Sequence, residues 1–180
     1  PCRVLATPTK APCCGSETWA EGAFRLRRHQ DQYYWPVDTQ LAVGMWMPLV
    51  DVSLPMGPIR FATGSHRQGY RGHFPISPEA QEVYEEQLTE GGYPRWQAPM
   101  RAGDATFHNG WIVHGASANL TEQLRSAMIV TYYPDGTRCG EFQNPSHEGD
   151  AKGFLGGVQP GDLCDNDATN PVVWRARPSL

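Results

Sequence analysis

The chain has 180 residues, a formal charge of -4 and only 19% charged residues. This length allows one domain with a sizeable core. The Lys and Arg residues form no basic block that would follow a nucleic-acid backbone, and no apolar run approaches the roughly 18 residues of a membrane span. We therefore expect a single domain over residues 1–180 that binds a small molecule rather than nucleic acid or a membrane. A cytoplasmic protein is expected, and the sequence does not determine its oligomeric state.

The chain order of turn signals and apolar runs predicts many short strands around one helix. The 19 Gly and 16 Pro residues favour frequent turns. Buried strands are predicted over residues 41–52 and 57–66, and a helix is predicted to begin after the cap Ser77 and to end at the glycines 91 and 92. Asn109-Gly110 predicts a hairpin of two short strands within residues 103–116, and a further strand follows over residues 125–133.

This pattern predicts a mainly β fold of the jelly-roll type, a cupin-like double-stranded β-helix with a helical insertion. The insertion runs over about residues 72–100 and is predicted to cover the mouth of the barrel as a lid. Such a barrel lets inward-facing residues from distant strands meet.

His29 and Asp31 are separated by one residue. In an extended strand, side chains at this spacing project from one face and can converge on one ion, although most such pairs are structural. His114, near the end of the predicted hairpin, is expected to approach them from the opposite wall. Two His and one carboxylate form the facial triad of non-haem Fe(II) oxygenases. His108, six residues before His114, is a weaker candidate.

Arg125 is predicted to open the strand after His114 and to share an inward face with Ala127, Ile129 and Thr131. A buried Arg requires an anionic partner, and its planar guanidinium suits a carboxylate. An anionic cosubstrate is therefore expected. Each feature taken alone also fits a structural role, such as a solvated Arg at a strand end or a His in the core.

The chain resembles the phytanoyl-CoA dioxygenase family of Fe(II)- and 2-oxoglutarate-dependent oxygenases in four segments: HQDQYYWP (29–36), MWMPLVDVSLPMGPIRFATGSHR (45–67), GDATFHNGWIVHGASANLTEQLR (103–125) and NPVVW (170–174). The resemblance implies a double-stranded β-helix in which His29, Asp31 and His114 bind Fe(II). It also implies that Arg125 holds the distal carboxylate of 2-oxoglutarate and that Trp46 lines the cosubstrate pocket.

Two further cosubstrate contacts follow from the resemblance alone. Family members often carry a Ser two residues after the distal His, whereas this chain has Ala116 there and Ser117 one residue later. Lys10 is expected to correspond to an upstream Lys that contacts 2-oxoglutarate. Only 28 residues precede His29, where the family usually has a longer, partly helical region, so the loss of an N-terminal region stays open.

The resemblance implies hydroxylation of an unactivated C–H bond of a small organic or acyl substrate, with O2 consumed and succinate and CO2 released. Asp31 favours a hydroxylase, because related halogenases have a small residue in place of this carboxylate. Two alternatives stay open: a metal-binding cupin of another activity, which would not need Arg125, and a non-catalytic ligand-binding barrel or inactive fragment.

The substrate is open at this stage. A basic cluster before His29 is a candidate for an anionic group, with a solvated surface as the commoner role; it comprises Arg25, Arg27 and Arg28. A set of aromatic residues is a candidate wall for an apolar pocket, with core packing as the commoner role; it comprises Tyr33, Tyr34, Trp35, Phe61 and Trp111.

Overall fold

A computed structural model of the chain describes residues 1–7, 26–72 and 75–175, with the backbone alone for residues 5–7. This part of the chain forms nine strands and two α-helices. In chain order they are β1 (Cys2–Thr7), β2 (Leu26–His29), β3 (Val43–Pro48), β4 (Ile59–Ala62), α1 (Pro78–Glu90), β5 (Arg95–Gln97), β6 (Thr106–Asn109), β7 (His114–Ala116), β8 (Ala127–Pro134), α2 (Pro145–Phe154) and β9 (Val172–Trp174).

The strands form two antiparallel sheets. One has five strands in the order β6-β3-β8-β1-β9, and the other has four in the order β2-β7-β4-β5. Trp46 and Ala127 of the first sheet pack with Ile59 and Phe61 of the second in one buried cluster, so the sheets lie face to face. The mainly β prediction is confirmed. Within the described residues no strand pairs across the two sheets, so the barrel is not closed.

The predicted strands are present but shorter than the apolar runs that predicted them. Residues 41–52 contain β3 (Val43–Pro48), and residues 57–66 contain β4 (Ile59–Ala62). The chain between them turns through a short 3-10 helix that ends at Gly57, whose φ of 71° lies in the left-handed region that favours glycine. Strand β8 begins with Ala127 buried and Met128 exposed, but Val130 and Thr131 are both buried, because this strand lies inside the five-stranded sheet.

Helix α1 begins where its cap predicts. The Ser77 hydroxyl accepts a hydrogen bond from the backbone N–H of Ala80 at 3.1 Å. Tyr84 and Leu88 are buried in a cluster that includes Ala62 of β4 and Val113, the residue before β7. The apolar face of the helix therefore packs onto this sheet.

The prediction that the insertion covers the mouth of the barrel as a lid is wrong for helix α1. Arg28 of β2 donates to the Glu85 carboxylate of α1 at 2.9 Å, and its backbone N–H donates to Gln81 of the same helix at 2.7 Å. Consecutive strand residues project from opposite faces, so α1 covers the outer face of β2, away from His29. Burying Ala80, Tyr84 and Leu88 requires an apolar sheet face, which a lid over an open mouth would lack.

The predicted hairpin around Asn109-Gly110 is also wrong. Strand β6 pairs with β3, whereas β7 pairs with β2 and β4, so this segment crosses from one sheet to the other. A two-residue type I′ turn needs positive φ at both central residues, and neither Asn109 nor Gly110 has one. Instead the Asn109 side-chain oxygen accepts from the backbone N–H of Trp111 at 2.9 Å, and the backbone carbonyl of Asn109 accepts from the N–H of Ile112 at 3.0 Å.

Neither described helix has the length and apolar content needed to cross a bilayer. Cys2, Cys139 and Cys164 carry free thiols, and the last two are buried. Cys13 and Cys14 lie outside the described residues.

Candidate metal centre

His29 and His114 lie side by side on the inner face of the four-stranded sheet. They are direct partners in the antiparallel pairing of β2 with β7, and their ring centroids are 4.3 Å apart. Both residues are buried, with 5% and 3% of their surface exposed. The expectation that His114 approaches from the opposite wall is therefore wrong, because the hairpin on which it rested does not form and β7 pairs with β2.

The backbone fixes the orientation of both imidazoles. His29 Nδ1 lies 2.8 Å from the carbonyl oxygen of Arg27, and His114 Nδ1 lies 3.1 Å from that of Ile112. A carbonyl oxygen only accepts, so each Nδ1 carries the hydrogen. In the neutral ring the lone pair then sits on Nε2, which is the form that a metal ligand requires.

Asp31 brings an oxygen to the same point. Strand β2 ends at His29, but Gln30 keeps an extended backbone (φ -120°, ψ 123°) before Asp31 begins a short 3-10 helix. Asp31 Oδ1 lies 3.3 Å from His29 Nε2 and 3.5 Å from His114 Nε2. Each of the three residues offers a ligand atom within 4.8 Å of the others, a group that could hold a metal ion.

Two lone-pair nitrogens facing one carboxylate oxygen repel unless a proton or a cation lies between them. The pKa of His114 is lowered to about 3, mainly by burial and also by the neighbouring imidazoles of His29 and His108, although Asp31 opposes this shift. Burial raises the pKa of Asp31, but His114, His108 and His29 together hold it well below its usual range. At neutral pH the set is a carboxylate with a neutral His114, which is the ionisation state that binds a divalent cation.

His108 is the site residue that sequence reasoning underrated. Its Nε2 lies 3.0 Å from Asp31 Oδ2, the carboxylate oxygen that does not face His29 and His114. Its Nδ1 is buried without a hydrogen-bond partner in the described structure, so Nε2 carries the hydrogen and donates it to Asp31. This second carboxylate oxygen is thereby fixed, which orients the first.

Gly44 is the sequence signal that points to His108. Gly44 is the register partner of His108 across β3 and β6. A Cβ at Gly44 would lie 2.6 Å from His108 Nε2 and 3.2 Å from Asp31 Oδ2. A glycine inside a buried strand often marks a close approach of this kind.

Arg125 lies just before β8 rather than opening it. Its Nη1 donates to the carbonyl oxygens of Met56 and Ser117 at 3.0 Å each and to that of Gly57. The Ser117 hydroxyl accepts a hydrogen bond from Gln97 Nε2 at 3.2 Å. Arg125 and Ser117 are thus neighbours, as expected for residues that share a ligand, while their contact with 2-oxoglutarate stays a prediction.

An apolar cluster connects the triad region with Arg125. Phe61 belongs to this cluster, and its ring centroid lies 6.0 Å from that of His114 and 5.2 Å from that of His108. Met56, which accepts from Arg125, and Trp46 belong to the same cluster. Trp46 therefore packs between the two sheets, and its role as a wall of the cosubstrate pocket stays a prediction. Lys10 lies outside the described residues.

The other residues considered for the substrate pocket lie in different parts of the structure. Trp35 belongs to a core cluster next to α2, which is the commoner role of such a residue. Tyr34 lies beside the triad, with its ring centroid 6.3 Å from that of His29. The side chain of Arg28 is paired with Glu85 on the outer face of the sheet, so it does not serve the approach to His29. Arg25 lies outside the described residues.

The fold and the site together define a class of protein. Two facing antiparallel sheets with two buried His and a half-buried Asp on an inner wall are typical of metal-dependent double-stranded β-helix proteins. Residues 8–127 match the family model of phytanoyl-CoA dioxygenase (PhyH). The chain belongs to this family.

Solved structures with the same fold include two enzymes of nogalamycin biosynthesis. The non-haem alpha ketoglutarate dependent epimerase SnoN is 25% identical with a TM-score of 0.62, over 82% of this chain and 54% of SnoN. The carbocyclase SnoK, described as dependent on the same compound, is 25% identical with a TM-score of 0.61, over 79% of this chain and 54% of SnoK. The chain thus spans about half the length of either enzyme.

A more distant structure shows the same fold. EctD from S. alaskensis, solved with 2-oxoglutarate and 5-hydroxyectoine, is 19% identical with a TM-score of 0.56, over 65% of this chain and 41% of EctD. No match was found among the curated proteins.

Proposed function

We propose that this chain is an Fe(II)- and 2-oxoglutarate-dependent dioxygenase that hydroxylates a C–H bond of a small organic or acyl substrate and releases succinate and CO2. The observation that carries the proposal is the convergence of His29 Nε2, His114 Nε2 and Asp31 Oδ1 on one point, with both Nδ1 atoms held by backbone carbonyls. Membership of the phytanoyl-CoA dioxygenase family supports it.

The donor set fits iron. Two imidazole nitrogens and one carboxylate oxygen leave coordination positions open, whereas structural zinc sites are usually filled by four protein ligands. A bound Fe(II) would supply the activation of O2 and the oxidation of the substrate C–H bond. In this assignment His29, His114 and Asp31 are the iron ligands, and His108 holds Asp31 in place through its second oxygen.

The chain's own residues would bind and orient the cosubstrate. Arg125 is proposed to pair with the distal carboxylate of 2-oxoglutarate, since a guanidinium matches a carboxylate with two parallel hydrogen bonds. Its carbonyl partners Met56, Gly57 and Ser117 would hold the guanidinium for this contact. The apolar cluster containing Trp46 and Phe61 would exclude water between Arg125 and the metal ligands.

Ser117 and Lys10 are proposed as further contacts of the cosubstrate. The Ser117 hydroxyl already accepts from Gln97 and still has a hydrogen to donate to a carboxylate. Lys10 rests on the family resemblance alone. We also propose a cytoplasmic location and a small-molecule substrate.

Epimerisation or ring closure is a second candidate outcome at the same site. Its support is that SnoN is described as an epimerase and SnoK as a carbocyclase, at 25% identity to this chain. Either reaction would use the same iron ligands and the same Arg125. The distinction lies in the product, since hydroxylation adds an oxygen atom to the substrate and the other two outcomes do not.

Formation of succinate tests the proposal. We expect the chain with Fe(II) to convert 2-oxoglutarate to succinate slowly even without substrate, and only when O2 is present. Liquid chromatography with mass spectrometry measures the succinate, and a His114→Ala variant is the matched control. Equal succinate in wild type and His114→Ala would reject the proposal.

A further inference from the structure

The middle residue of the His-x-Asp motif is a buried glutamine that makes three hydrogen bonds. Gln30 has 1% of its surface exposed. Its Nε2 donates to the carbonyl oxygens of Trp111 at 2.6 Å and Gly69 at 2.8 Å, and its Oε1 accepts from the backbone N–H of Arg71 at 3.1 Å. Both hydrogens of the amide are used in this way, so the side chain is held in one orientation.

The strand pairing around the metal ligands is short and irregular. Strands β2 and β7 are in register at two positions, and between these positions two residues of β2 lie opposite Gly115 alone. Such a bulge interrupts the regular hydrogen bonds of a strand pair. Strand β2 ends at His29, so Asp31 lies beyond the last paired position. The position of Asp31 relative to His114 therefore depends on bonds outside the strand pairing.

Two hydrogen bonds connect the two segments beyond the paired strands. The backbone N–H of Gln32 donates to the carbonyl oxygen of Gly110 at 3.0 Å. The side chain of Gln30 donates to the carbonyl oxygen of the next residue, Trp111. The first bond involves only backbone atoms, whereas the second depends on the identity of residue 30.

The bond from Gln30 to Trp111 ends at the peptide that precedes the support of a metal ligand. Trp111 is followed by Ile112, whose carbonyl oxygen holds Nδ1 of His114. The backbone of Gln30 leads directly to Asp31. One residue thus connects the carboxylate ligand, through its backbone, with the segment that orients His114, through its amide.

The other two bonds of Gln30 hold its amide from the opposite side. Gly69 ends the short 3-10 helix Ser65–Gln68, and both Gly69 and Arg71 contact Gln30 through backbone atoms. Because Gln30 is extended and consecutive side chains of an extended chain project from opposite faces, its side chain points away from those of His29 and Asp31. Gln30 therefore acts on the metal centre only through the backbone.

We propose that Gln30 is a positioning residue that sets the placement of Asp31 and His114 around the metal ion. This inference rests on the metal ligands of the proposed function and goes beyond that function, since it assigns a role to a residue that is not a ligand. Without the amide, the segment that carries Asp31 and the segment that orients His114 would lose the side-chain bond that joins them.

Two substitutions of similar size remove this bond in different ways. Gln30→Met removes all three hydrogen bonds. Gln30→Glu keeps an acceptor for the Arg71 N–H but places a second oxygen against two carbonyl oxygens. In a titration with Co(II), we expect both variants to bind the metal about 10- to 100-fold more weakly, the range for groups that orient metal ligands. The visible absorption of the bound Co(II) should also change, because it reports coordination geometry.

Gln81→Met is the matched control. Gln81 of α1 also joins two elements, since its Oε1 accepts from the Arg28 N–H at 2.7 Å and its Nε2 donates to Glu85 at 2.7 Å. These bonds hold α1 against β2 and do not reach the segment of His114. Urea unfolding should show a loss of stability in both Gln30→Met and Gln81→Met, whereas the Co(II) affinity and spectrum should stay unchanged in Gln81→Met.

The outcomes separate this inference from the proposed function. Wild-type Co(II) affinity and spectrum in folded Gln30→Met, or an equal change in Gln81→Met, would overturn the positioning role and leave the oxygenase proposal intact. If neither Gln30 variant folds, the residue serves the fold and the positioning role is likewise rejected. A wild type that binds Co(II) no more tightly than His114→Ala would reject the metal centre itself, and with it the proposed function.

Discussion

Replacing His108 tests how the carboxylate ligand is held. His108→Ala removes the 3.0 Å hydrogen bond to Asp31 Oδ2, in a site where His108 is only 6% exposed. A buried hydrogen bond to a charged group contributes about 1.5–3 kcal/mol. If that amount is lost from orienting Asp31, metal affinity falls by about 10- to 150-fold, in line with the 10- to 100-fold effect usual for groups that orient a metal ligand. His29 and His114 should still bind the ion weakly.

Titration with Co(II), followed by its visible absorption, measures this affinity without O2 chemistry. His108→Gln should recover part of the loss, because its amide still donates a hydrogen bond, and His66→Ala is a control at a His of a different segment. Gly44→Ala should also lower the metal affinity, since its Cβ would lie 2.6 Å from His108 Nε2 and displace that ring. Wild-type affinity in His108→Ala would refute the positioning role, and a loss as complete as in His29→Ala would make His108 a ligand.

Three further results are expected. His29→Ala or His114→Ala should lose stoichiometric iron by elemental analysis while keeping the circular dichroism of the fold, and full iron retention would show that the ligands are wrongly assigned. Arg125→Ala should keep Fe(II) yet bind 2-oxoglutarate about 2–5 kcal/mol more weakly by calorimetry, and Arg125→Lys should restore little of this affinity. Binding of pyruvate, which lacks the distal carboxylate, should change little. An equal loss of pyruvate binding would contradict the pairing of Arg125 with the distal carboxylate. Because burial lowers the pKa of His114 from 6.5 to about 3, the unfolded chain takes up this proton first as pH falls. The free energy of unfolding of the metal-free chain should therefore decline below about pH 6.5, by at most about 1.4 kcal/mol per pH unit for one proton. Urea unfolding at pH 7 and pH 5 measures this decline. An equal decline in wild type and in His114→Gln would contradict the role of His114.

The sequence was most informative where spacing and chain order carry the geometry. The His29-x-Asp31 spacing places both side chains on one side because Gln30 is extended, and the order of segments pointed to His114 as their partner. The helix signals at Ser77 and the following Pro hold in α1. These features depend on local backbone preferences, which a single sequence reveals.

The pairing of strands that are distant in the chain was harder to predict from the sequence. Asn109-Gly110 is a strong local hairpin signal, but β6 and β7 find better partners in separate sheets, so tertiary pairing overrides the turn preference. The same error hid His108, because its contact with Asp31 exists only when β6 pairs with β3 opposite Gly44. Likewise, the outer position of α1 follows from the Arg28–Glu85 ion pair and the buried cluster, neither of which has a local sequence signal.

The most direct test of the central claim is the visible spectrum of the chain with Fe(II) and 2-oxoglutarate in the absence of O2. Chelation of 2-oxoglutarate to an iron held by His29, Asp31 and His114 requires open positions on the metal, and we expect a weak charge-transfer band at about 500 nm. The band should be absent in His114→Ala. A folded, iron-loaded wild-type sample that shows no band with 2-oxoglutarate would contradict the account and favour a metal-binding cupin of another activity or a non-catalytic barrel.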